Sequence, residues 1–247
     1  MKRPALLQFL AGSRDELAIL LGVIPFGMIY GALALQAGLS PAEAQSMSWV
    51  VFAGSAQFMM VQLFSAGAPG MVIVLITVVM NLRHALYSAS LAPYLSYVAR
   101  PARTALAYLL TDEAYAVSIS RFRRVDALEA HGHAPLHRHW YFFGAGLTLW
   151  TAWQISTAAG IFLGARIPTS WPLDFAIPLT FIALLVPDLK DRPSVVAALA
   201  AGITAALANG LPFKLGLLAA ALVGIAAGML ASRPGIDAEK GFSEAHQ

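Results

Sequence analysis

Residues Met71–Met80 read MVIVLITVVM, and residues 81–84, which follow directly, read NLRH. The sequence then becomes apolar and aromatic again as far as Val98. If this run crosses a bilayer, the Arg83 guanidinium lies near the middle of the hydrocarbon, where a charge costs roughly 2.5 kcal/mol or more. Membrane proteins keep such residues mainly for a function, so Arg83 is the centre of the predicted site.

The composition predicts an all-α, polytopic membrane helix bundle. Of the 247 residues, 58% are hydrophobic and 12% are Asp, Glu, Lys or Arg, whereas soluble domains have about 25% charged residues. We expect one transmembrane domain over residues 16–231, between a cytoplasmic segment, 1–15, and a disordered cytoplasmic tail, 232–247. The chain has no cysteine, which excludes disulfides and thiolate metal sites.

Eight apolar stretches come near the roughly 20 residues that a membrane-spanning helix needs. They are Glu16–Ala37, Gln45–Ala66, Gly70–Val98, Ala102–Ser120, Trp140–Leu163, Trp171–Pro187, Ser194–Ala208 and Phe213–Ala231. The third is long for one crossing, which favours a broken helix. The seventh is short and ends at the breaker NGLP, 209–212, so seven spans with a re-entrant segment are an alternative.

The distribution of basic residues predicts that both termini lie in the cytoplasm. With the N-terminus inside, eleven Lys and Arg residues fall in cytoplasmic segments and four in outer segments, while Arg83 lies within a span. This bias fits the positive-inside rule and favours a single crossing by the third run. The same bias explains the net charge of +3 without a nucleic-acid partner.

The first predicted span contains Pro25 together with Gly22, Gly27 and Gly31. Proline removes a backbone donor and clashes with the preceding turn, so one interpretation is a kinked or unwound segment beside a cavity. In that case Pro25 and Gly27 would belong to a substrate site. The alternative is that Gly27 and Gly31, four residues apart, form a small-residue packing face.

The second predicted span places Gln57 near its middle, shortly after Gly54 and Ser55. A glutamine in a membrane forms either a helix–helix hydrogen bond, worth about 0.6–2 kcal/mol, or a contact with substrate. A glycine beside a serine exposes the backbone where a small ligand can approach. Gly54, Ser55 and Gln57 are therefore candidate substrate-binding residues.

The third predicted span carries two neighbouring polar stripes. Asn81, His84 and Ser88 share one helical face, and Arg83 and Tyr87 form the other. Polar stripes of this kind turn toward the interior of a bundle. The candidate substrate-binding residues of this span are Asn81, Arg83, His84 and Tyr87.

A buried guanidinium pairs best with a carboxylate in planar, two-point geometry. The fourth predicted span contains two adjacent acids, Asp112 and Glu113. We therefore expect an ion pair of Arg83 with one of them. A role in packing alone is the weaker explanation, because desolvation offsets most of the attraction within a buried pair.

The loop between the fourth and fifth predicted spans contains four of the six histidines, namely His131, His133, His137 and His139. Histidine-rich segments can bind metal. No carboxylate or thiolate framework fixes a geometry here, and we expect the loop to be flexible and solvated. We predict no metal site.

The second half of the chain weakly repeats features of the first half. Pro178 lies inside the sixth predicted span, as Pro25 lies in the first, and the break at 209–212 follows the seventh. Interrupted segments in corresponding positions of two halves indicate a transporter site.

The chain has no Walker A motif and no glycine-rich phosphate loop, so the sequence gives no sign of ATP hydrolysis or of a bound cofactor. An intramembrane hydrolase that uses Ser88 with His84, four residues before it, is one alternative. Neither residue lies in a nucleophile-elbow or HExxH context. We do not predict an enzyme.

Several motifs occur in a characteristic order. They are Pro25-Phe26-Gly27, Gly38-Leu39-Ser40, Ser48 followed by Phe52–Phe58 (FAGSAQF), Asn81–Tyr87 (NLRHALY) and Thr111-Asp112-Glu113. This order resembles the AzlC family of bacterial inner-membrane permeases, strongly over Gly22–Ser120 and more loosely afterwards. The resemblance implies export of branched-chain amino acids together with a small, separately encoded AzlD-like membrane protein.

The residues and the resemblance together predict a secondary transporter in the bacterial inner membrane that exports branched-chain or similar amino acids. Arg83 or the N-termini of half-helices would bind the substrate carboxylate. The groups expected around the rest of the substrate are Asp112, Glu113, Asn81 and Gln57 for the ammonium and Phe26, Phe52, Phe58 and Tyr87 for the apolar side chain.

We also expect proton coupling, because acids and histidines inside membranes mark proton relays. His84, Asp112 and Glu113 would then be the titrating groups. The alternative function is a channel-like or scaffold subunit whose partner provides the selectivity. Either function is compatible with a homo-oligomer.

Overall fold

A computed structural model describes residues 3–128, 137–165, 189, 191–208, 210–211 and 215–232 of the chain. The elements in these residues are all α-helices, which confirms the predicted fold class. They are α1 Arg3–Gln36, α2 Pro41–Val50, α3 Gly54–Ser65, α4 Gly70–Leu95, α5 Arg100–Tyr108, α6 Asp112–Leu128, α7 Arg138–Gly164, α8 Arg192–Leu207 and α9 Leu215–Ala231.

Some predictions lie outside the described residues. They are the sixth span Trp171–Pro187 with Pro178, the histidines His131 and His133, positions Asn209 and Pro212 of the second-half break, and the tail 233–247. The fifth, seventh and eighth predicted spans correspond to α7, α8 and α9. Two described helices, Pro4–Gln36 and Gly70–Leu95, are long and apolar enough to cross a membrane on their own.

The described helices belong to two compact units. One unit contains α1–α3, α4 from Ile73 onward, and α5–α7, and the other contains α8, α9 and Gly67–Val72. In the second unit α8 and α9 pack through small residues, because Cβ atoms at Gly224 and Gly228 would contact Ala201 and Ala197. Such residues let the backbones of two membrane helices approach closely.

Helix α1 runs without interruption through Pro25, so an unwound segment at this proline is wrong. The small-residue interpretation of Gly27 and Gly31 is confirmed, because both pack against α7. A Cβ at Gly31 would lie 2.7 Å from Ile161 N and 2.9 Å from Gly160 C. The two longest helices of the first unit therefore meet backbone to backbone. The helix also begins at Arg3 rather than at Glu16.

The turn between α1 and α2 is specified by its sequence. Gly38 has a φ of +96°, which glycine adopts without strain, and the Leu39 N–H donates to the Ala34 carbonyl as in a Schellman motif. Ser40 and Glu43 then form a capping box at the start of α2. The hydrogen bonds from Ser40 hold the pKa of the exposed Glu43 carboxyl below its ordinary value.

The second and fourth predicted spans are each two short helices, which corrects the prediction of continuous ones. Helix α2 ends at Val50 and α3 begins at Gly54; likewise α5 ends at Tyr108 and α6 begins at Asp112. Gly54 lowers helix propensity at the first break, and Thr111 favours a helix start at the second because it is a good N-cap residue.

The third predicted span is continuous, as α4, so the expectation of a broken helix there is wrong. The predicted loop Arg121–His139 is also shorter than expected. Helix α6 continues to Leu128 and α7 begins at Arg138, so Arg121 and its basic neighbours lie on a helix. Arg138 of α7 pairs with Asp126 of α6.

Polar side chains fix α2 on α7 just before the first break. Gln45 Nε2 donates to Gln154 Oε1 at 2.7 Å, and Gln154 Nε2 donates to the Ser48 carbonyl at 3.2 Å. The Ser48 and Thr157 hydroxyls, both fully buried, lie 3.4 Å apart. Buried polar groups of this kind must be paired, so they specify where α2 ends relative to α7.

Candidate functional site

Arg83 connects the starts of two half-helices. Its Nη2 donates a 2.6 Å hydrogen bond to Ser55 Oγ, in the first turn of α3. Its Nη1 lies 2.5 Å from Asp112 Oδ2, at the first residue of α6. Of the two acids considered as partners, the guanidinium thus pairs with Asp112. The fork of an arginine can serve two acceptors at once in a way that a lysine ammonium cannot.

The pair is not sealed inside the protein. The side chains of Arg83 and Asp112 are 34% and 38% exposed. A charge pair held between two helix starts and open on one side can exchange its partner for a ligand.

The two helix starts differ in how they are capped. The Thr111 hydroxyl accepts a 3.3 Å hydrogen bond from the Ala114 N–H, and Asp112 and Glu113 add negative charge to the first turn of α6. Ala53, the N-cap residue of α3, supplies no side-chain hydrogen bond. The first N–H groups of a helix lack intrahelical partners and carry partial positive charge. Together with Arg83, the start of α3 therefore favours an anion.

Gly54, the first residue of α3, lies under an aromatic ring. A Cβ at this position would lie 2.9 Å from Cη2 of Trp153 on α7. Phe52, in the break itself, packs 6.3 Å from the Tyr108 ring. The start of α3 thus combines backbone donors with the apolar surface of aromatic rings, a combination typical of binding sites for small ligands.

Tyr108 connects the end of α5 with the end of α2, the two helix ends that precede the breaks. Its hydroxyl donates a 2.7 Å hydrogen bond to the Trp49 carbonyl near the end of α2, and it accepts one of 2.9 Å from Trp150 Nε1 on α7. Sequence reasoning missed Tyr108 and Trp150. The available signal was Thr111 followed by Asp112 and Glu113, which favours a helix start and so places a helix end shortly before it.

The remaining polar residues of α4 surround the ion pair. His84 Nε2 lies 3.8 Å from Asp112 Oδ1, whereas Arg83 contacts the other carboxylate oxygen, Oδ2. The His84 ring meets Tyr87 edge-on at 6.0 Å, and Tyr87 stacks on Tyr115 of α6 at 4.5 Å. The Asn81 side-chain oxygen Oδ1 is buried and accepts no hydrogen bond among the described residues.

Glu113 is half-buried one residue beyond Asp112 and lies beside the Thr111 side chain. It does not contact the guanidinium as Asp112 does, but it interacts electrostatically with both members of the pair. Of the two acids, Asp112 therefore binds Arg83 directly, and Glu113 acts on the pair from a greater distance.

Gln57 is fully buried on α3, in a neighbouring aromatic cluster. Phe58 meets Phe26 and Tyr30 edge-on at 6.2 and 6.1 Å, and Tyr30 stacks on Trp153. The Gln57 amide makes no hydrogen bond of good geometry within the described residues. Its role as a substrate contact stays a prediction.

Pro25 and Gly27 lie within α1 and not at either break. Pro25 is exposed, whereas Gly27 is buried against Ser156 and the Trp153 carbonyl of α7. Ser88 is exposed and lines a cavity of about 180 Å³ with Leu110 and Phe142. The structure therefore does not bring Pro25, Gly27 or Ser88 into contact with the Arg83–Asp112 pair.

A further carboxyl escaped the sequence analysis. Glu16 of α1 has no exposed surface, and neither of its oxygens accepts a hydrogen bond from a described residue. In the sequence it was only the first residue of a predicted span. Only the packing of α1 against α6 and α7 shows that it is buried.

Comparisons with known proteins show which family the sequence resembles. The family model described as AzlC protein matches residues 18–167. The inner membrane protein YgaZ of Escherichia coli (strain K12) is 28% identical over 236 residues, covering 92% of this chain and 90% of the relative.

Two uncharacterized membrane proteins are also similar. The one from Archaeoglobus fulgidus is 31% identical over 83% of this chain and 87% of its own length, and the one from Helicobacter pylori (strain 26695) is 25% identical over 74% and 78%. No solved structure matches the chain significantly. The family match includes α2 to α6 with both breaks, and on this evidence the chain is a membrane protein that belongs to the AzlC family.

Proposed function

We propose that this membrane protein is a secondary transporter that exports branched-chain or similar amino acids across the bacterial inner membrane. Proton movement drives the export, and a small AzlD-like membrane protein works with the chain. The observation that carries the proposal is the bridge from Ser55 at the start of α3, through Arg83, to Asp112 at the start of α6.

Half-helix ends that meet in mid-span are typical of transporter sites, where they bind the charged groups of substrates. An amino acid zwitterion has one group of each sign. The uncapped start of α3 and the Arg83 guanidinium suit its carboxylate. Asp112, with the unpaired side-chain oxygen Oδ1 of Asn81, suits its ammonium. Substrate would thus exchange its own charges for those of the resting ion pair.

The apolar groups beside this centre favour an apolar substrate side chain. Phe52, Tyr108 and Trp153 lie around Gly54 and the first break. No charged residue occurs in the sequence of α3 to select a charged side chain. A branched aliphatic chain would bury its methyl groups against the rings, at about 25 cal/mol per Å² of apolar surface removed from water.

Proton coupling would use His84, Asp112 and Glu113. When the substrate ammonium displaces Arg83 from Asp112, the charge balance around the acids changes, and a proton can be taken up or released. Ionisable groups inside membranes are typical of proton relays.

The test is flux in proteoliposomes that contain the purified chain, with and without the small partner. We expect saturable leucine and valine flux that follows an imposed pH gradient and falls when an uncoupler is added. Arg83→Ala and Asp112→Asn should remove the flux, whereas Arg100→Ala, an exposed arginine at the start of α5, should retain it. Saturable binding by the partner alone, with none by this chain, would instead support a scaffold subunit.

A further inference from the structure

Glu16 is a buried carboxyl to which the proposed transport site assigns no role. It lies in α1 with 0% of its surface exposed, and neither carboxyl oxygen has a hydrogen-bond partner among the described residues. Burying a carboxylate without a donor or a cation costs several kcal/mol. A protein that only needed to fill this space would do better with an apolar side chain or a glutamine.

The groups that face Glu16 come from each helix packed on this part of α1. Helix α6 contributes Glu113, which interacts with Glu16 electrostatically. Helix α7 contributes Tyr141, whose hydroxyl donates a 2.6 Å hydrogen bond to the neighbouring Asp15, and the Tyr141 ring lies below Arg121 of α6. Among the residues of α2 and α3, the charged one is Glu43, which is exposed in its capping box.

The positions along the helices place these groups in order across the membrane. From Glu16 to the end of α1 at Gln36 there are about 20 residues, or about 30 Å of helix, which equals the hydrocarbon thickness. Glu16 thus lies near the inner edge of the hydrocarbon if the N-terminus is cytoplasmic. Glu113 lies at the mid-span break, and Asp15, beside Glu16, is exposed.

We infer that Glu16 is a proton-binding site that connects the Arg83–Asp112 centre, through Glu113, with the cytoplasmic side. The inference rests on the proposed function for the direction and use of the proton. Binding forms an O–H bond on one Glu16 oxygen and makes the side chain neutral. Release breaks that bond and transfers the proton either to a carboxylate oxygen of Glu113 or to water beside Asp15. No other reactant is needed.

Proton binding itself is tested without transport. Infrared difference spectra of the full chain in lipid nanodiscs, recorded between about pH 6 and pH 10, where ordinary exposed carboxyls stay ionised, should contain a protonated-carboxyl band that Glu16→Gln reduces or removes. Glu43→Gln, which changes an exposed carboxyl, should leave the band unchanged. A band that persists in full in Glu16→Gln would overturn the inference. Glutamine resembles the neutral acid in shape, so this variant should fold.

The connection to transport is tested in proteoliposomes. In Glu16→Gln, flux driven by a pH gradient should fall by at least about tenfold, as expected for loss of a proton-transfer group. Exchange of labelled for unlabelled leucine at equal pH, which needs no net proton movement, should continue. Glu16→Asp should restore part of the driven flux.

The possible results separate the two ideas. Wild-type flux that ignores the pH gradient would defeat proton coupling and the path with it, while the infrared band would still decide whether Glu16 binds a proton. Wild-type flux that follows the gradient, with Glu16→Gln equally driven, would overturn the path alone. Equal loss of exchange and driven flux in Glu16→Gln would also count against the path, since it indicates a structural role.

Discussion

The Tyr108 hydroxyl donates a 2.7 Å hydrogen bond to the carbonyl oxygen of Trp49. Tyr108 ends α5 and Trp49 is the last residue but one of α2, and Trp150 of α7 donates to the same hydroxyl. Carbonyls at the end of a helix lack intrahelical partners. At the first break, one of these carbonyls thus accepts a hydrogen bond from a side chain that lies at the second break. With Arg83 between the two helix starts, the breaks are connected on both sides.

Tyr108→Phe should uncouple the ends of the breaks while keeping the aromatic ring beside Phe52. Two hydrogen bonds are lost, each worth about 1 kcal/mol net, so we expect a measurable fall in the thermal unfolding temperature in nanodiscs. We also expect slower amino acid flux. The control is Tyr97→Phe, whose hydroxyl also makes two hydrogen bonds, both to His139 and away from the breaks. Its flux should stay near that of the wild type, and an equal fall in flux in the two variants would contradict the proposed connection.

The Arg83–Ser55 contact should be energetically coupled. Arg83→Lys keeps the charge but cannot reach Ser55 and Asp112 in the same geometry. In a cycle of Arg83→Lys and Ser55→Ala, we expect a coupling energy of at least about 0.5 kcal/mol, as for residues in direct contact. Thermal unfolding of the four proteins measures it. Additive effects would show that the 2.6 Å contact contributes nothing.

The sequence was sufficient to predict the helical class, most helix positions and the residues around Arg83. Hydropathy runs and unusual polar residues are local signals. The breaks were missed because residues 51–53 (VFA) and 109–111 (LLT) are apolar enough to continue a hydrophobic run. The contacts that hold the two breaks are tertiary: the Tyr108 hydroxyl bonds the Trp49 carbonyl, and Arg83 connects the Ser55 and Asp112 side chains. Hydropathy does not contain them.

Two residues of α1 were also hard to interpret from sequence. Glu16 was only the first residue of a predicted span, yet it has no exposed surface in a helix that packs against α6 and α7. Pro25 looked disruptive, yet α1 continues through it without interruption. For Glu16 the deciding information was which helices pack against α1, and hydropathy does not contain that.

The capping box of α2 predicts a pH effect. Hydrogen bonds from Ser40 lower the pKa of Glu43 from its ordinary value of 4.5. A carboxyl with a lowered folded-state pKa stabilises the fold above its unfolded-state pKa and loses that contribution as pH falls through the folded-state value. The wild type should therefore lose more thermal stability than Glu43→Gln when the pH is lowered from 7 to below about 4.5. Parallel losses in the two proteins would contradict this role.

The contact of α1 with α7 gives a matched pair of glycine substitutions on one helix. A Cβ at Gly31 would meet the backbone of α7, 2.7 Å from Ile161 N, whereas a Cβ at Gly22 has no atom within 4 Å. Overpacking against backbone costs about 1–3 kcal/mol, and alanine improves an open helical position by about 0.5–1 kcal/mol over glycine. Gly31→Ala should therefore lower the unfolding temperature and Gly22→Ala should keep or raise it. If both variants unfold at the same temperature, α1 and α7 do not pack as closely as the structure shows.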